Sequence, residues 1–374
     1  MDTTSVLYAL LRAGLWERDT SLPTSAPVDF NALFDLAKEQ NLVGLVTAGI
    51  EHLQDHHLSY DDKHLFIHHT LTLEKRNKAM CHLVSILVGK MQQAGIFTIV
   101  VKGQGVAQYY ERPLWRASSD IDFFFDEENY EKAKVFLSPH ATRVFPEEEE
   151  LLHTAMCFGP WAVELHGLMP TLLSNQINST VYRLQQEMFR NRSVRLWHHD
   201  GVDIPLPKPD DDIIIVFTHF LKHFFVGGVG IRQLLDWCRI LWKCQDAIDL
   251  QLLHSRLSRM GILSEWRAMA SFAVQYLGMP PEAMPFYQPT ARQRRLAYRI
   301  SRILLNRGDL GQNNEMYRIR RSKQPGGNLV TLLRRIREFQ QIFFVFPLDT
   351  PRFFINYMSI KLKKARGKEV GALK

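Results

Sequence analysis

Apolar residues recur with a helical period through the first quarter of the chain. Between residues 69 and 94, Leu73, Met80, Leu83, Val84, Leu87 and Met91 fall on one stripe, which Gly95 closes. The spacing predicts a long helix there, preceded by further helices that break at the Pro-containing stretch 21–27. The period then shortens to two. Residues 96–101 read as a β-branched strand, 104–110 as a helix, 119–125 as a second strand and 127–137 as another helix. Short strands are expected near 141–145, 153–158 and 161–166, and Asp200-Gly201 between 194–197 and 202–205 signals a hairpin. From about 209 the pattern is mainly helical, with breaks at 227–228, 278–281 and 324–327. The class is α+β. It divides into N-terminal helices over 1–94, a small mixed-sheet core over 95–207 and a largely helical C-terminal domain over 208–374.

The second strand violates its own apolar pattern. Within Ser118-Ser119-Asp120-Ile121-Asp122-Phe123, the two carboxylates share a face about 7 Å apart, because side chains alternate along a strand. Like charges so close need a cation between them, or one must keep its proton. A divalent ion such as Mg²⁺ (or Mn²⁺), which takes one or two carboxylates plus substrate phosphates, suits the pair. An Asp pair can also simply cap the loop before a strand, so the surroundings matter. Upstream, a strand runs into Lys102-Gly103, where glycine lets backbone N–H groups approach phosphate and a following helix start favours negative charge. Downstream, Glu164 and His166 share one face of the strand at 161–166. Strand, phosphate turn, helix, paired acids and a third acid on a later strand together describe a metal-dependent phosphoryl-transfer site.

Over residues 65–260 this order resembles the DNA polymerase β-like nucleotidyltransferases, and within them the bacterial uncharacterised nucleotidyltransferases. The likeness rests on Lys102-Gly103, Arg116, Asp120-Ile121-Asp122 and Val163-Glu164-Leu165-His166, then His219-x-x-x-His223 and Arg232-Gln233-Leu234-Leu235-Asp236. It departs from the many relatives with Gly-Gly or Gly-Ser at the turn, which points to nucleotide held differently or by charge. The resemblance implies a mixed-sheet nucleotidyltransferase core that moves a nucleoside monophosphate from a nucleoside triphosphate to a hydroxyl acceptor of unknown kind. Asp120, Asp122 and Glu164 would be catalytic and hold two metal ions about 4 Å apart, with Glu164 deprotonating or orienting the acceptor. Lys102, Gly103, Arg116 and Ser119 would bind nucleotide, Arg116 by a bidentate clamp on phosphate or else as an exposed loop residue. His166 would orient Glu164, meet the acceptor, or be structural. His219 and His223 give two zinc-compatible ligands without a third, and read as cleft or core residues. Arg232 and Asp236, one turn apart, read as a helix-stabilising pair.

Charge changes the picture only at the C-terminus. Residues 291–374 carry 20 Lys and Arg against 5 Asp and Glu, a surplus of 15 that leaves −8 for residues 1–290. Clusters at Arg292–Arg302, Arg318–Lys323 and Arg334–Arg337, with Phe339, Phe343, Phe344, Phe346, Phe353, Phe354 and Tyr357 interleaved, suit RNA, an anionic membrane surface, or plain solvated helix faces. Four cysteines lack metal or disulfide spacing, the N-terminus lacks a secretion-signal pattern, and no apolar run reaches about 18 residues. The expected setting is cytoplasmic, with peripheral attachment to the inner membrane face as the variant. Two other functions fit the same resemblance: a non-catalytic or membrane-docked scaffold in envelope polysaccharide assembly, and a toxin-like transferase that modifies transfer RNA. The Glu147–Glu150 run reads as an exposed turn.

Overall fold

Polar caps set where the N-terminal helices start. α1 (Thr3–Trp16), α2 (Phe30–Glu39) and α3 (Val43–Glu51) precede the long α4 (Tyr60–Gln93) in a computed structural model that describes residues 3–22, 27–55, 58–171, 173–226, 230–307, 339–356 and 359. The Ser59 hydroxyl accepts the Asp62 N–H, and Asp61 and Asp62 sit in the first turn where the helix dipole favours negative charge. That cap starts α4 at Tyr60, ahead of the stripe expected from 69. Of the stripe, Met80, Val84, Leu87 and Met91 are buried, while Leu73 and Leu83 are half-buried. α1 and α3 meet backbone to backbone, since a Cβ on Gly49 would lie 2.0 Å from the Leu10 carbonyl oxygen.

The sheet begins where α4 stops. Ile96 N–H bonds back to the Met91 carbonyl and Phe97 N–H to the Asn129 side chain, so residues 96–98 close the helix and the first strand is only β1 (Ile99–Val101). There follow α5 (Gly103–Ala107), β2 (Asp120–Phe124), α6 (Glu127–Leu137), β3 (Arg143–Val144), β4 (His153–Phe158) and β5 (Trp161–His166). Strand order is β1-β2-β5-β4-β3, with β2 and β5 parallel and every other pair antiparallel. β3 is shorter than the expected 141–145, although the Thr142 and Phe145 N–H groups on either side of it still donate to the Cys157 and Ala155 carbonyls of β4. After α7 (Asn175–Asn191), the hairpin β6 (Val194–His199) and β7 (Val202–Pro207) turns at Asp200 and Gly201, whose φ values of 50° and 74° are those its two-residue loop requires. The rest is helical: α8 (Pro209–Val226), α9 (Arg232–Lys243), α10 (Leu250–Met260), α11 (Leu263–Tyr276) and α12 (Ala291–Arg307).

Both faces of the five-stranded sheet are covered. Val100, Ile121, Phe123, Val163 and Leu165 pack on one side with Met80, Val84, Leu87 and Met91 of α4 and Tyr130 of α6. Ile99, Val101 and Phe124 join the opposite, larger core, which draws on α1, α8, α9, α11 and α12. Strand alternation therefore puts Asp120, Asp122, Glu164 and His166 on the side of that larger core. α1 is tied into it by polar contacts as well: the Tyr8 and Ser301 hydroxyls bond at 2.9 Å, and the Trp16 indole donates to the Leu277 carbonyl at 2.7 Å.

At the C-terminus, α12 buries Ala297, Ile300, Ile303 and Leu304 and exposes Arg292, Arg294, Arg295, Arg299 and Arg302, a solvated face around an apolar stripe. Phe346 and Phe353 are buried against Phe225, whereas Phe343, Phe344 and Phe354 are exposed. The remaining basic clusters at 318–323 and 334–337, Tyr357, and the breaks at 227–228 and 324–327 lie outside the described residues. No described helix is long and apolar enough to cross a membrane, and all four cysteines are free.

Candidate active site

Register decides which acids meet. In the parallel β2/β5 pair Asp122 stands beside Glu164, and on its other side β1 sets Val101 beside Asp122, which brings Lys102 to the same strand end. Lys102 Nζ lies 2.7 Å from Asp122 Oδ1, and His166 Nε2 lies 2.8 Å from the same oxygen. Glu164 Oε2 is 3.4 Å from His166 Nε2 and 3.3 Å from His153 Nε2. The Ser119 hydroxyl donates to Asp120 at 2.8 Å.

The three carboxylates feel this arrangement differently. Burial pushes the Asp122 carboxyl up, but Lys102 and His166 overcome it and hold the group below its ordinary range. Hydrogen bonds from His153 and His166 hold Glu164 well below its own. Asp120 moves the other way: burial and the negative charges of Asp122 and Glu164 raise it, and Lys102 offsets them only in part. Burial opposes the charged forms of Lys102 and His166, yet the carboxylates win and both hold their protons more tightly than usual. Three hard oxygen ligands with one under-compensated negative charge fit a divalent cation.

Lys102 reaches this position at the cost of a strained backbone. Its φ of 57° and ψ of −145° belong to a region that glycine occupies readily and other residues at about 1–3 kcal/mol. Gly103 follows with φ 36°, and a Cβ there would touch the Asp120 carbonyl oxygen at 3.4 Å. α5 is only five residues long, so little helix dipole is available at its start and the local positive charge is that of Lys102.

A cleft of about 360 Å³ opens over the acids, and all ten candidate residues line it: Lys102, Gly103, Arg116, Ser119, Asp120, Asp122, Glu164, His166, His219 and His223. Its far wall is α8, where Thr218, His219, Lys222 and His223 project from one helical face. The His219 and His223 rings sit 4.6 Å apart in a T-shaped arrangement. Burial, and then the nearby Lys102 charge, hold His219 well below its ordinary range, so it is a neutral imidazole at pH 7. Lys222 is lowered for the same two reasons.

Arg116 does not stand free as a phosphate clamp. Its Nε and one terminal nitrogen meet the two oxygens of Asp236 at 2.9 and 2.6 Å, and the other terminal nitrogen donates to Ser118 Oγ at 2.6 Å and to the Ala117 carbonyl at 3.1 Å. Both side chains are buried, and the Tyr110 hydroxyl donates to Asp236 at 2.8 Å. Arg116 thus anchors the loop before β2 to α9. The Asp236 carboxylate, read from sequence as a partner of Arg232, is the anchor point, while Arg232 donates to the Ala117 carbonyl at 3.1 Å.

The profile of the uncharacterised nucleotidyltransferase family matches residues 26–278. The chain belongs to that family. Its matched segment holds α2 through α11 and every residue of the cleft, and α12 lies beyond it. No curated protein and no solved structure matches the chain.

Residues missed from the sequence complete this family member's cleft. His153 was recoverable, because the two-residue Gly159-Pro160 connection of the β4/β5 hairpin fixes residue 153 opposite 166. Lys222 follows from the helical face shared by His219 and His223. Glu148, in the run read as an exposed turn, is exposed and lines the cleft mouth.

Proposed function

We propose that this family member transfers a nucleoside monophosphate from a nucleoside triphosphate such as ATP to a hydroxyl acceptor, with a divalent cation, Mg²⁺ or Mn²⁺, held by Asp120, Asp122 and Glu164. The observation that carries the reading is the convergence of three carboxylates and Lys102 at one strand end, on the floor of a cleft whose opposite wall is cationic or imidazole-bearing. When bound, the cation would neutralise triphosphate charge and polarise the α-phosphorus toward attack.

The chain's own groups supply the rest. Asp120 and Asp122, fixed by sheet pairing, hold their oxygens in place without reorganisation. Lys102 keeps Asp122 ionised and adds positive charge beside the phosphates. Gly103 takes the positive φ of the turn and keeps side-chain bulk off the cleft floor. Lys222 and neutral His219 face the phosphates from α8, one as a charge and the other as a hydrogen-bonding group. Because Glu164 is held well below its ordinary range, it is a weak base and orients the acceptor hydroxyl more than it deprotonates it. His166, between Asp122 and Glu164, sets the position of both.

The test uses triphosphates labelled at the α or γ position, offered with acceptor fractions and Mg²⁺. Label from the α position should enter an acceptor as pyrophosphate is released, and Asp120→Asn should cut this by about 100-fold or more. Asp120→Asn should also fold at least as stably as the parent in chelator, since it removes an under-compensated charge. Transfer of γ label, or full activity in Asp120→Asn, would overturn the proposal.

A further inference from the structure

We propose that His153, Glu164 through Oε2, and His166 form a transition-metal site of the two-histidine, one-carboxylate kind beside the oxygen-lined Asp120/Asp122 pair, with the other Glu164 oxygen left to the cation of that pair. The three ligand atoms lie within 4.8 Å of one another. Both imidazole contacts to Glu164 Oε2, at 3.3 and 3.4 Å, are long for charge-assisted hydrogen bonds, which close to about 2.7–2.9 Å. The neighbouring His166–Asp122 contact, at 2.8 Å, does close. Ligand atoms around a tetrahedral ion bonded at about 2.1 Å stand roughly 3.4 Å apart, the spacing of the two histidine contacts to Glu164.

The site is rigid. His153 and His166 face each other across the antiparallel β4/β5 pair, and their rings lie 4.8 Å apart with a 33° tilt. No ligand comes from a loop, and all three line the cleft, which leaves a side open for an exchangeable oxygen, as in catalytic zinc sites. Imidazole nitrogen selects Zn²⁺ or its neighbours over Mg²⁺, so the cleft carries two kinds of cation site. Metal on His166 Nε2 would replace its hydrogen bond to Asp122 and leave that oxygen to Lys102 and the nucleotide-bound cation, a consequence that rests on the transfer reading above.

The experiment titrates the chelator-stripped full chain with Co²⁺, followed by visible ligand-field absorption, then displaces it with Zn²⁺ and counts bound metal by mass spectrometry. One tight equivalent is expected. His153→Ala and His166→Ala should each weaken binding by about 100-fold or more, beyond the 10–100-fold typical of outer-shell losses. Glu164→Gln serves if either fails to give a parental circular-dichroism spectrum. Asp120→Asn should keep the Co²⁺ spectrum, so loss of transfer there and loss of Co²⁺ in the histidine variants fail independently. A parental chain that binds no more Co²⁺ or Zn²⁺ than His153→Ala/His166→Ala overturns the site.

Discussion

Replacing Arg116 by Ala separates two roles for the same side chain. As a phosphate clamp, its loss would weaken triphosphate binding and leave the fold alone. As the buried partner of Asp236, its loss would strand a carboxylate whose side chain is 6 % exposed. Breaking one half of a buried, hydrogen-bonded pair costs about 3–5 kcal/mol, mostly because the remaining charge is left uncompensated. The bidentate geometry at 2.6 and 2.9 Å argues for the upper half of that range, and the lost bonds to Ser118 and Ala117 act in the same direction. Urea unfolding followed by circular dichroism should give a lower midpoint for Arg116→Ala and for Asp236→Ala. The double variant Arg116→Met/Asp236→Leu should recover at least about 2 kcal/mol of the worse single loss, because no unpaired ion is then buried. Arg116→Lys retains the charge but not the fork, and should also lower the midpoint. A parental midpoint in Arg116→Ala, together with weaker nucleotide binding, would refute the anchoring argument and restore the clamp.

Two further perturbations probe the same molecule. Lys102→Gly relieves about 1–3 kcal/mol of backbone strain but leaves Asp122 with His166 as its remaining partner, and breaking such a buried pair costs about 3–5 kcal/mol, so it should unfold at lower urea than the parent in chelator. Added Mn²⁺ should close most of that gap, and equal stability in chelator would show that the Lys102–Asp122 pair carries little. Glu265, buried and then repelled by Asp349, has its carboxyl pushed up to about 8 from an ordinary 4.5. The folded chain then holds a proton that the unfolded chain releases, so this contribution is fully present below pH 4.5 and fades as pH rises through 8. Burial of Asp212, raised to about 7, acts in the same direction. Glu265→Gln should flatten the fall between those limits by an amount on the order of a few kcal/mol, and an unchanged pH profile of the urea midpoint would exclude this cause.

What the sequence disclosed was local. The Asp120/Asp122 face, the 153–158 and 161–166 strands and the Asp200-Gly201 hairpin follow from alternation and turn chemistry, which act over a few residues. The anchoring of Arg116 is not legible locally, because its partner lies 120 positions away on α9 and no local rule couples them. The Asp236 carboxylate, placed one helical turn after Arg232, looked paired already. Lys102 shows its charge in the sequence but not its backbone, since no local pattern signals a φ of 57° and ψ of −145° at a lysine. His166 offers several roles from sequence, and its side-chain distances of 2.8 Å to Asp122 and 3.4 Å to Glu164 show that it bridges two acids.

The clasp between α1 and the far end of the fold bears on how this protein should be cut for study. Expression limited to the family-matched stretch would discard a helix whose Val6, Leu7, Leu10 and Leu11 are almost wholly shielded from water, along with Ser301, the hydroxyl that meets Tyr8. The exposed seam would be greasy and self-associating. Boundaries drawn by homology would thus yield an aggregating fragment, whereas one reaching from α1 through residue 356 keeps the seam closed and Phe346 and Phe353 against Phe225.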